Sequence, residues 1–148
     1  MARKARAGRL RPADYRRLAE FRYLLRQFLM FSEEAAERAG LTAQQHQALL
    51  AIKGSGAAQP LTVGELAGRL GIKHHSAVGL ADRLLAKSLV RRRAGLRDRR
   101  QVMLRLTPRA ERLLARLSAA HRAELERLAP LLQELLAHFG KAGATRAG

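Results

Sequence analysis

The spacing of apolar residues changes along this chain from a helical period to a strict alternation and then back. In "IKHHSAVGLADRLLAKSL" the apolar residues recur about every 3.6 residues and share one helix face: Ala77, Leu80, Ala81 and Leu84. The following segments, "VRRRA" and "QVMLRLT", alternate instead, as half-buried strands do. The charged "GLRDRR" between them is a turn by composition. A helix followed directly by a two-stranded hairpin therefore restricts the fold more than any other feature.

Capping signatures divide the preceding part of the chain into short helices. "LTAQQHQALLAI" opens with Thr42 and Gln45, and "LTVGELAGRL" opens with Thr62 and Glu65. A threonine followed three residues later by Glu or Gln is the capping-box signature of a helix N-terminus. "KGSGAAQP" between the two helices is a loop by composition. Two short helices joined by "RLGIK" predict a helix-turn-helix, and the hairpin that follows makes it winged.

Two longer helical segments flank these elements. The first runs from Ala13 to about Ala39, and its apolar stripe is wide enough to bury more than one face. The last starts at Thr107 and Pro108, a favoured N-cap followed by a proline in the first helical position. Pro130 interrupts the last segment and predicts a kink or two consecutive helices there.

The balance of charge indicates an anionic partner. The net charge is +17, from 29 basic and 12 acidic residues. Such a field attracts polyanions, so nucleic acid is the leading partner and an anionic membrane surface the second. The chain contains no cysteine, which excludes disulfides and thiolate zinc sites and fits a reducing cytoplasm. It has no apolar run of about eighteen residues, so no membrane span is expected.

The adjacent histidines His74 and His75 raise the question of a metal site. Neighbours on a helix point about 100° apart and cannot chelate one ion together. His46, His121 or His138 would have to contribute, and zinc-type spacing is absent from the sequence. Contact with a duplex is therefore the stronger interpretation, and no metal or cofactor is expected. We expect His46 to be a buried, hydrogen-bonded core residue and His121 to be structural.

Four consecutive segments resemble the MarR family of winged-helix transcriptional regulators. They are "GLTAQQHQALLAI", "LTVGELAGRLGI", "VGLADRLLAKSLVRR" and "DRRQVMLRLTPRAERLL", and the resemblance covers about Phe21 to Leu117. Its most specific element is Asp98, any residue, then Arg100, followed by an alternating strand that ends in Leu-Thr-Pro. The resemblance implies a homodimer with interlocked terminal helices, and a small-molecule effector that alters the spacing of the two recognition helices. It also implies that the second helix of the motif enters the major groove and that the wing reaches the minor groove.

The sequence departs from the family pattern at two positions. Many members have a glycine where this chain has Ala110, a change that a helix tolerates. Many have Ser or Thr at the start of the recognition helix, where this chain has Lys73. Because the usual N-cap is missing, we expect Lys73 to contact a phosphate instead.

Physical reasoning independently assigns duplex contacts to the second helix of the motif. Its first turn has free backbone N–H groups and positive dipole character, which suit phosphate. Ser76 can donate or accept at a base edge, Val78 can meet a thymine methyl, and Arg83 fits phosphate or guanine. The alternative is a merely solvated helix face. The predicted contacts of this helix are Lys73, His74, His75, Ser76, Val78 and Arg83.

The predicted wing carries several arginines around a single acid, Asp98. Arginine is favoured in a narrow minor groove, where the negative potential is enhanced. By analogy with the family, Arg100 inserts into the groove and Asp98 braces an arginine, while Arg97 and Arg99 hold phosphates. The alternative is a solvated loop. The predicted contacts of the wing are Arg92, Arg93, Arg97, Asp98, Arg99 and Arg100.

The apolar residues of the two outer segments exceed what a winged helix of about 65 residues can cover. They would leave a large apolar patch on a monomer, so a homodimer is expected; the alternative is an entirely intramolecular helical core. The predicted dimer interface comprises Phe21, Leu25, Phe28, Leu117, His121, Leu125, Leu128, Leu132 and Leu135.

Together these features predict the fold class, the division of the chain and the function. We expect a mainly α protein with a small β-hairpin, a winged helix-turn-helix (41–106) between dimerisation helices (12–40 and 107–139). These form a single MarR-like domain, 12–148, after a flexible basic arm, 1–11. The predicted function is a cytoplasmic, sequence-specific repressor that binds an inverted-repeat operator in double-stranded DNA and responds to a small-molecule effector. The alternative is a non-specific nucleic-acid-binding or DNA-compacting protein. An enzyme is not expected, because the sequence has neither a Gly-rich phosphate loop nor a Ser-His-Asp or Cys-His set.

Overall fold

The computed structural model describes residues 9–56, 58–95 and 97–144. Most of the predicted basic arm, residues 1–8, lies outside the described residues. The elements follow in the order α1 (Pro12–Arg38), α2 (Ala43–Gly54), β1 (Leu61–Thr62), α3 (Val63–Leu70), α4 (His74–Ala86), β2 (Val90–Ala94), β3 (Val102–Leu106) and α5 (Pro108–Ala144). The predicted fold class, mainly α with a small β-hairpin in a winged helix-turn-helix, is confirmed. No described helix is both long and apolar enough to cross a membrane.

Local capping residues set the ends of the short helices, as the sequence predicts. Thr42 Oγ1 accepts a hydrogen bond from the Gln45 amide at 3.1 Å, and the Gln45 side chain accepts one from the Thr42 amide at 3.0 Å. Thr62 and Glu65 form the same reciprocal pair at 3.1 and 2.8 Å. Gly71 ends α3 with φ 63° and ψ 33°, a left-handed conformation that glycine adopts without strain. This turn leads directly into α4.

The sheet contains a third strand in addition to the predicted hairpin. Its order is β1-β3-β2, and both pairings are antiparallel. Leu61 of β1 pairs with Leu104, and Thr62 pairs with Met103. Two residues are too few for an alternating pattern to be recognised, and the same residues also begin the capping box of α3. The predicted hairpin is confirmed, with Val90 opposite Leu106 at its base.

The chain divides into two compact units, Ser32–His121 and Met1–Phe31 with Arg122–Gly148. The first unit is larger than the predicted winged helix because the end of α1 and the start of α5 contribute Ala35, Ala36, Ala110 and Leu114 to its core. Its most completely buried side chains are Leu49, Leu66, Leu80, Leu84, Leu89, Val90 and Leu104. The predicted inner face of α4 is buried in this core, so its opposite face is turned to solvent.

The second unit has a small core of its own between α1 and α5. Leu24, Leu128 and Leu135 are buried there, with Phe21, Phe28 and Leu132 packed against them. Of the two predicted outcomes at Pro130, a kink or two consecutive helices, the second is wrong, because α5 is a single helix through that residue. Leu128 and Leu135, on either side of Pro130, are buried in the same small core, which holds both halves of the helix in one element.

Candidate nucleic-acid interface

The exposed face of α4 presents the predicted recognition residues. His74, His75 and Arg83 are exposed, Val78 is 37% exposed, and Ser76 is half-buried. The structure therefore brings this group together on one helix, opposite the buried Ala77/Leu80/Ala81/Leu84 face.

The N-terminus of α4 has no side-chain cap. Lys73 occupies the N-cap position with extended backbone, φ −69° and ψ 152°, and its side chain makes no capping hydrogen bond. The first turn of an uncapped helix keeps backbone N–H groups available to an anion, and the helix dipole adds to their attraction. The departure from the family pattern at Lys73 thus leaves a helix N-terminus without a side-chain cap beside a lysine.

The side chains of Arg83 and His74 lie close to the glycines Gly79 and Gly64. A Cβ built on Gly79 would lie 3.4 Å from Arg83 Nη1, so the Arg83 guanidinium lies close to the half-buried backbone of Gly79. A Cβ built on Gly64 would lie 3.9 Å from His74 Nδ1, which places the His74 ring beside α3. Within the described residues, no three His, Cys, Asp or Glu side chains are grouped closely enough to hold a metal ion.

An ion pair connects α4 to the hairpin. The Asp82 carboxylate of α4 accepts a hydrogen bond from Arg92 Nη2 of β2. Arg92 stands opposite Leu104 in the sheet, so its side chain lies on the face that is turned to α4. Arg92 was predicted to contact DNA, but its guanidinium is engaged in holding the hairpin against α4. Asp82 was not among the predicted site residues, because no sequence pattern indicates an ion pair between residues ten positions apart on a helix and a strand.

The wing turn is built around Gly95 and Asp98. The Gly95 amide donates to the Gln101 carbonyl at 2.9 Å, and the Gln101 amide donates to the Asp98 carbonyl at 3.1 Å. The Asp98 carboxylate accepts a hydrogen bond from the Arg100 amide at 2.9 Å. A Cβ on Gly95 would lie 2.6 Å from the Asp98 carbonyl oxygen, a distance that only glycine avoids. Asp98 therefore braces the main chain of Arg100, and through it the shape of the wing.

The arginines of the wing divide into two groups. Arg97, Arg99 and Arg100 are exposed around the turn, and no ion pair in the described part of the chain involves them. Arg93, also predicted to contact DNA, stands opposite Met103 on the outer face of the sheet, away from α4. A wing whose single carboxylate is engaged with backbone presents concentrated positive charge, which suits the phosphates of a duplex.

His46 and His121 lie together within the first unit. Their ring centroids are 4.7 Å apart. His121 Nδ1 lies 2.7 Å from the Leu117 carbonyl oxygen, so it carries a proton and donates, and His121 Nε2 lies 2.8 Å from Ser32 Oγ. His121 thus has the predicted structural role. His46 is buried as predicted, but the predicted hydrogen bonding is wrong for Nδ1, which has no partner among the described residues. Burial, and to a smaller extent His121, lowers the pKa of His46.

The residues predicted for the dimer interface fall into three groups. Leu117, Leu128 and Leu135 are buried within the single chain and serve its own two cores. Leu25 and Leu125 are 40% and 46% exposed. Phe21, Phe28, His121 and Leu132 are half-buried. Further exposed apolar side chains on the outer parts of α1 and α5 are Tyr15, Leu18, Tyr23, Leu29, Met30, Leu131, Leu136 and Phe139.

Comparisons with known proteins agree with this architecture. Residues 39–101, from the start of the helical motif to the wing, match the sequence model of the MarR family. No curated protein matches the chain. The structure is similar to that of YusO from Bacillus subtilis, with a TM-score of 0.62 and 26% sequence identity over 88% of this chain and 93% of that chain.

Two further solved structures have the same fold. AbsC, a MarR family transcriptional regulator from Streptomyces coelicolor, has a TM-score of 0.70 and 20% identity, covering 92% of this chain and 93% of that chain. A MepR variant from Staphylococcus aureus, bound to an oligodeoxyribonucleotide, has a TM-score of 0.64 and 20% identity, covering 86% of this chain and 92% of that chain. The match of residues 39–101 to the MarR family model and the shared fold make this chain similar to MarR family proteins in its winged helix-turn-helix.

Proposed function

We propose that this protein is a dimeric, sequence-specific DNA-binding repressor whose α4 helix reads one half-site of an inverted repeat. The observation that carries the proposal is the junction of α4 and wing: an uncapped recognition helix is tied to an arginine-rich hairpin by Asp82 and Arg92. Such a connection lets the helix and the wing engage one stretch of duplex together. The DNA-bound MepR variant, which has the same fold, supports DNA as the partner.

The residues of the two elements take different parts in this proposal. Lys73 and the first-turn amides of α4 bind phosphate, which positions the helix but carries no sequence information. Ser76 and Val78 face base edges, where a hydroxyl and a thymine-contacting methyl can discriminate. Arg100 enters the minor groove, and Arg97 and Arg99 contact the flanking phosphates, because all three are exposed around the wing turn.

Exposed leucines on the outer helices support a homodimer. Two recognition helices related by a twofold axis match successive turns of DNA when they lie about 34 Å apart. Leu125 and Leu50 are equally suitable for substitution, being 46% and 49% exposed, but only Leu125 lies on an outer helix. Leu125→Glu should give a monomer by light scattering, whereas Leu50→Glu should leave the dimer intact. A dimer that survives Leu125→Glu would remove this surface from the interface.

The proposal also includes a small-molecule effector and a cellular compartment. The family resemblance implies that a small molecule changes the spacing of the two recognition helices and releases the operator. DNA as the target, together with the lack of cysteine, supports action in the cytoplasm.

Selection of bound duplexes from a random pool tests the central claim. At about 150 mM salt the attraction of a +17 chain for any duplex is damped, so selective contacts decide what is retained. An inverted repeat with half-site centres about 10 base pairs apart is the expected result. The net charge also favours a second candidate, a DNA-compacting protein, which would recover unbiased sequence and overturn the proposal.

A further inference from the structure

A recess of about 910 Å³ lies on the outer face of the sheet, on the opposite side from α4. The loop after α2, the start of α3 and the wing form its walls. Four arginines line it, Arg69, Arg93, Arg97 and Arg105, with a single carboxylate, Glu65. The proposed DNA contacts of α4 are not part of this recess, whereas Arg93 and Arg97 of the predicted wing contacts line it.

Strand register concentrates the positive charge at this face. Arg91 stands directly opposite Arg105 in the antiparallel pair, and Arg93 stands opposite Met103. Side chains alternate along a strand, so Arg91 and Arg93 of β2 share the outer face with Arg105 of β3. Like charges directly opposite each other destabilise a sheet.

The one carboxylate of the recess is already engaged. Glu65 accepts hydrogen bonds from the Thr62 amide at 2.8 Å and from Thr62 Oγ1 at 3.2 Å, which fixes it at the start of α3. Among the residues that the structure describes, no ion pair involves Arg69, Arg93 or Arg97. The recess therefore presents convergent guanidinium groups, three of which no described carboxylate neutralises.

We propose that this recess binds a small molecule that carries two or more linked phosphate groups, such as a nucleoside diphosphate. The planar guanidinium donates two parallel hydrogen bonds to a phosphate, and several guanidinium groups around one recess suit a chain of phosphates. The volume lies within the range of small-molecule sites, roughly 300–1,000 Å³. Walls on three sides favour a compact ligand over a duplex, whose phosphates lie along a convex surface.

Occupation of the recess would compete with DNA through Arg97. This residue lines the recess and also belongs to the wing contacts, so a bound polyphosphate would withdraw its charge from the duplex. This second step rests on the proposed function. The ligand would then weaken operator binding by occupying Arg97, without changing the spacing of the two recognition helices.

Binding of inorganic pyrophosphate to the full chain, without DNA and at about 150 mM salt, tests the site. We expect saturable binding in titration calorimetry. Arg69→Gln combined with Arg105→Gln removes two guanidinium groups of the recess, both outside the proposed DNA contacts. Removal of each charge-assisted hydrogen bond weakens binding about tenfold or more, so the double variant should bind about a hundredfold more weakly. Arg112→Gln with Arg116→Gln removes the same charge from exposed positions of α5 and should bind as the unaltered chain does.

Equal weakening in both double variants would mean attraction by net charge alone and would overturn the site. All four arginines are exposed, so thermal unfolding without ligand should be similar in the two variants and the unaltered chain. Because this arm contains no DNA, its result is independent of the proposed function. In a second arm, pyrophosphate should weaken duplex binding by the unaltered chain but not by Arg69→Gln/Arg105→Gln. If pyrophosphate does not lower the duplex affinity of the unaltered chain, the competition is overturned. If Arg69→Gln/Arg105→Gln loses duplex affinity but binds pyrophosphate as the unaltered chain does, the recess contacts the DNA backbone instead.

Discussion

A single methyl group added at Gly95 should distort the wing turn and leave the rest of the fold in place. In Gly95→Ala the new Cβ would lie 2.6 Å from the Asp98 carbonyl oxygen, which is backbone and cannot rotate away. The turn would have to open, and two hydrogen bonds would be at risk, from the Gly95 amide to Gln101 and from the Gln101 amide to Asp98. Each is worth about 1 kcal/mol, and overpacking typically costs about 1–3 kcal/mol.

The loss of global stability should be smaller than the loss of DNA affinity. The wing turn is exposed and can distort locally, so the free energy of unfolding by urea should fall by about 1–2 kcal/mol. Under the proposed function the DNA affinity depends on where Arg97, Arg99 and Arg100 point, and all three lie in the distorted turn. The slope of log affinity against log salt should shrink by about 0.9 for each DNA phosphate that the distorted wing no longer neutralises.

Gly68→Ala is the matched control, because it makes the same chemical change inside α3. A Cβ at Gly68 meets nothing within 4 Å, and alanine is the better helix former by about 0.8–1.0 kcal/mol. This variant should be more stable than the unaltered chain and should bind operator duplex equally well in an anisotropy titration. If Gly95→Ala binds with unaltered affinity and salt slope, the wing does not carry the phosphate contacts and the reasoning is wrong.

Three further substitutions test separate parts of the molecule. Burial lowers the pKa of His46, so the unfolded chain binds a proton more readily and the free energy of unfolding should fall as the pH drops below about 6.5. His46→Leu should flatten this part of a pH-dependent unfolding series. An unchanged slope would mean that another group titrates there. Arg100→Ala should weaken operator binding about tenfold or more. Light scattering should still show a dimer, since the exposed side chain packs against nothing in the protomer core. Full affinity would exclude Arg100 from the minor groove. Ser76→Ala should change the preferred base at one position of each half-site in a duplex selection, and a uniform loss across sequences would make Ser76 a backbone contact.

Features that depend on neighbours in the chain could be predicted from the sequence. The capping boxes at Thr42 and Thr62 need only a partner three residues away, so their presence can be recognised locally. The buried face of α4 follows from its helical period, and the hairpin follows from alternation with a charged turn between. The missing side-chain cap at Lys73 could also be predicted, because the N-cap of a helix is identified by position alone.

Features that depend on distant pairings were decided by the tertiary structure. Leu61 finds Leu104 across more than forty residues, which adds a strand too short to show its own pattern. Arg92, which the sequence assigned to the DNA surface, forms an ion pair with Asp82. His121 contacts Ser32 and His46 only because α1, α2 and α5 pack together in one core. The arginines of the wing illustrate both cases. Their number and exposure could be predicted from composition, but the register of β2 on β3 decides which of them face α4 and which line the recess, since a strand turns successive side chains to opposite faces.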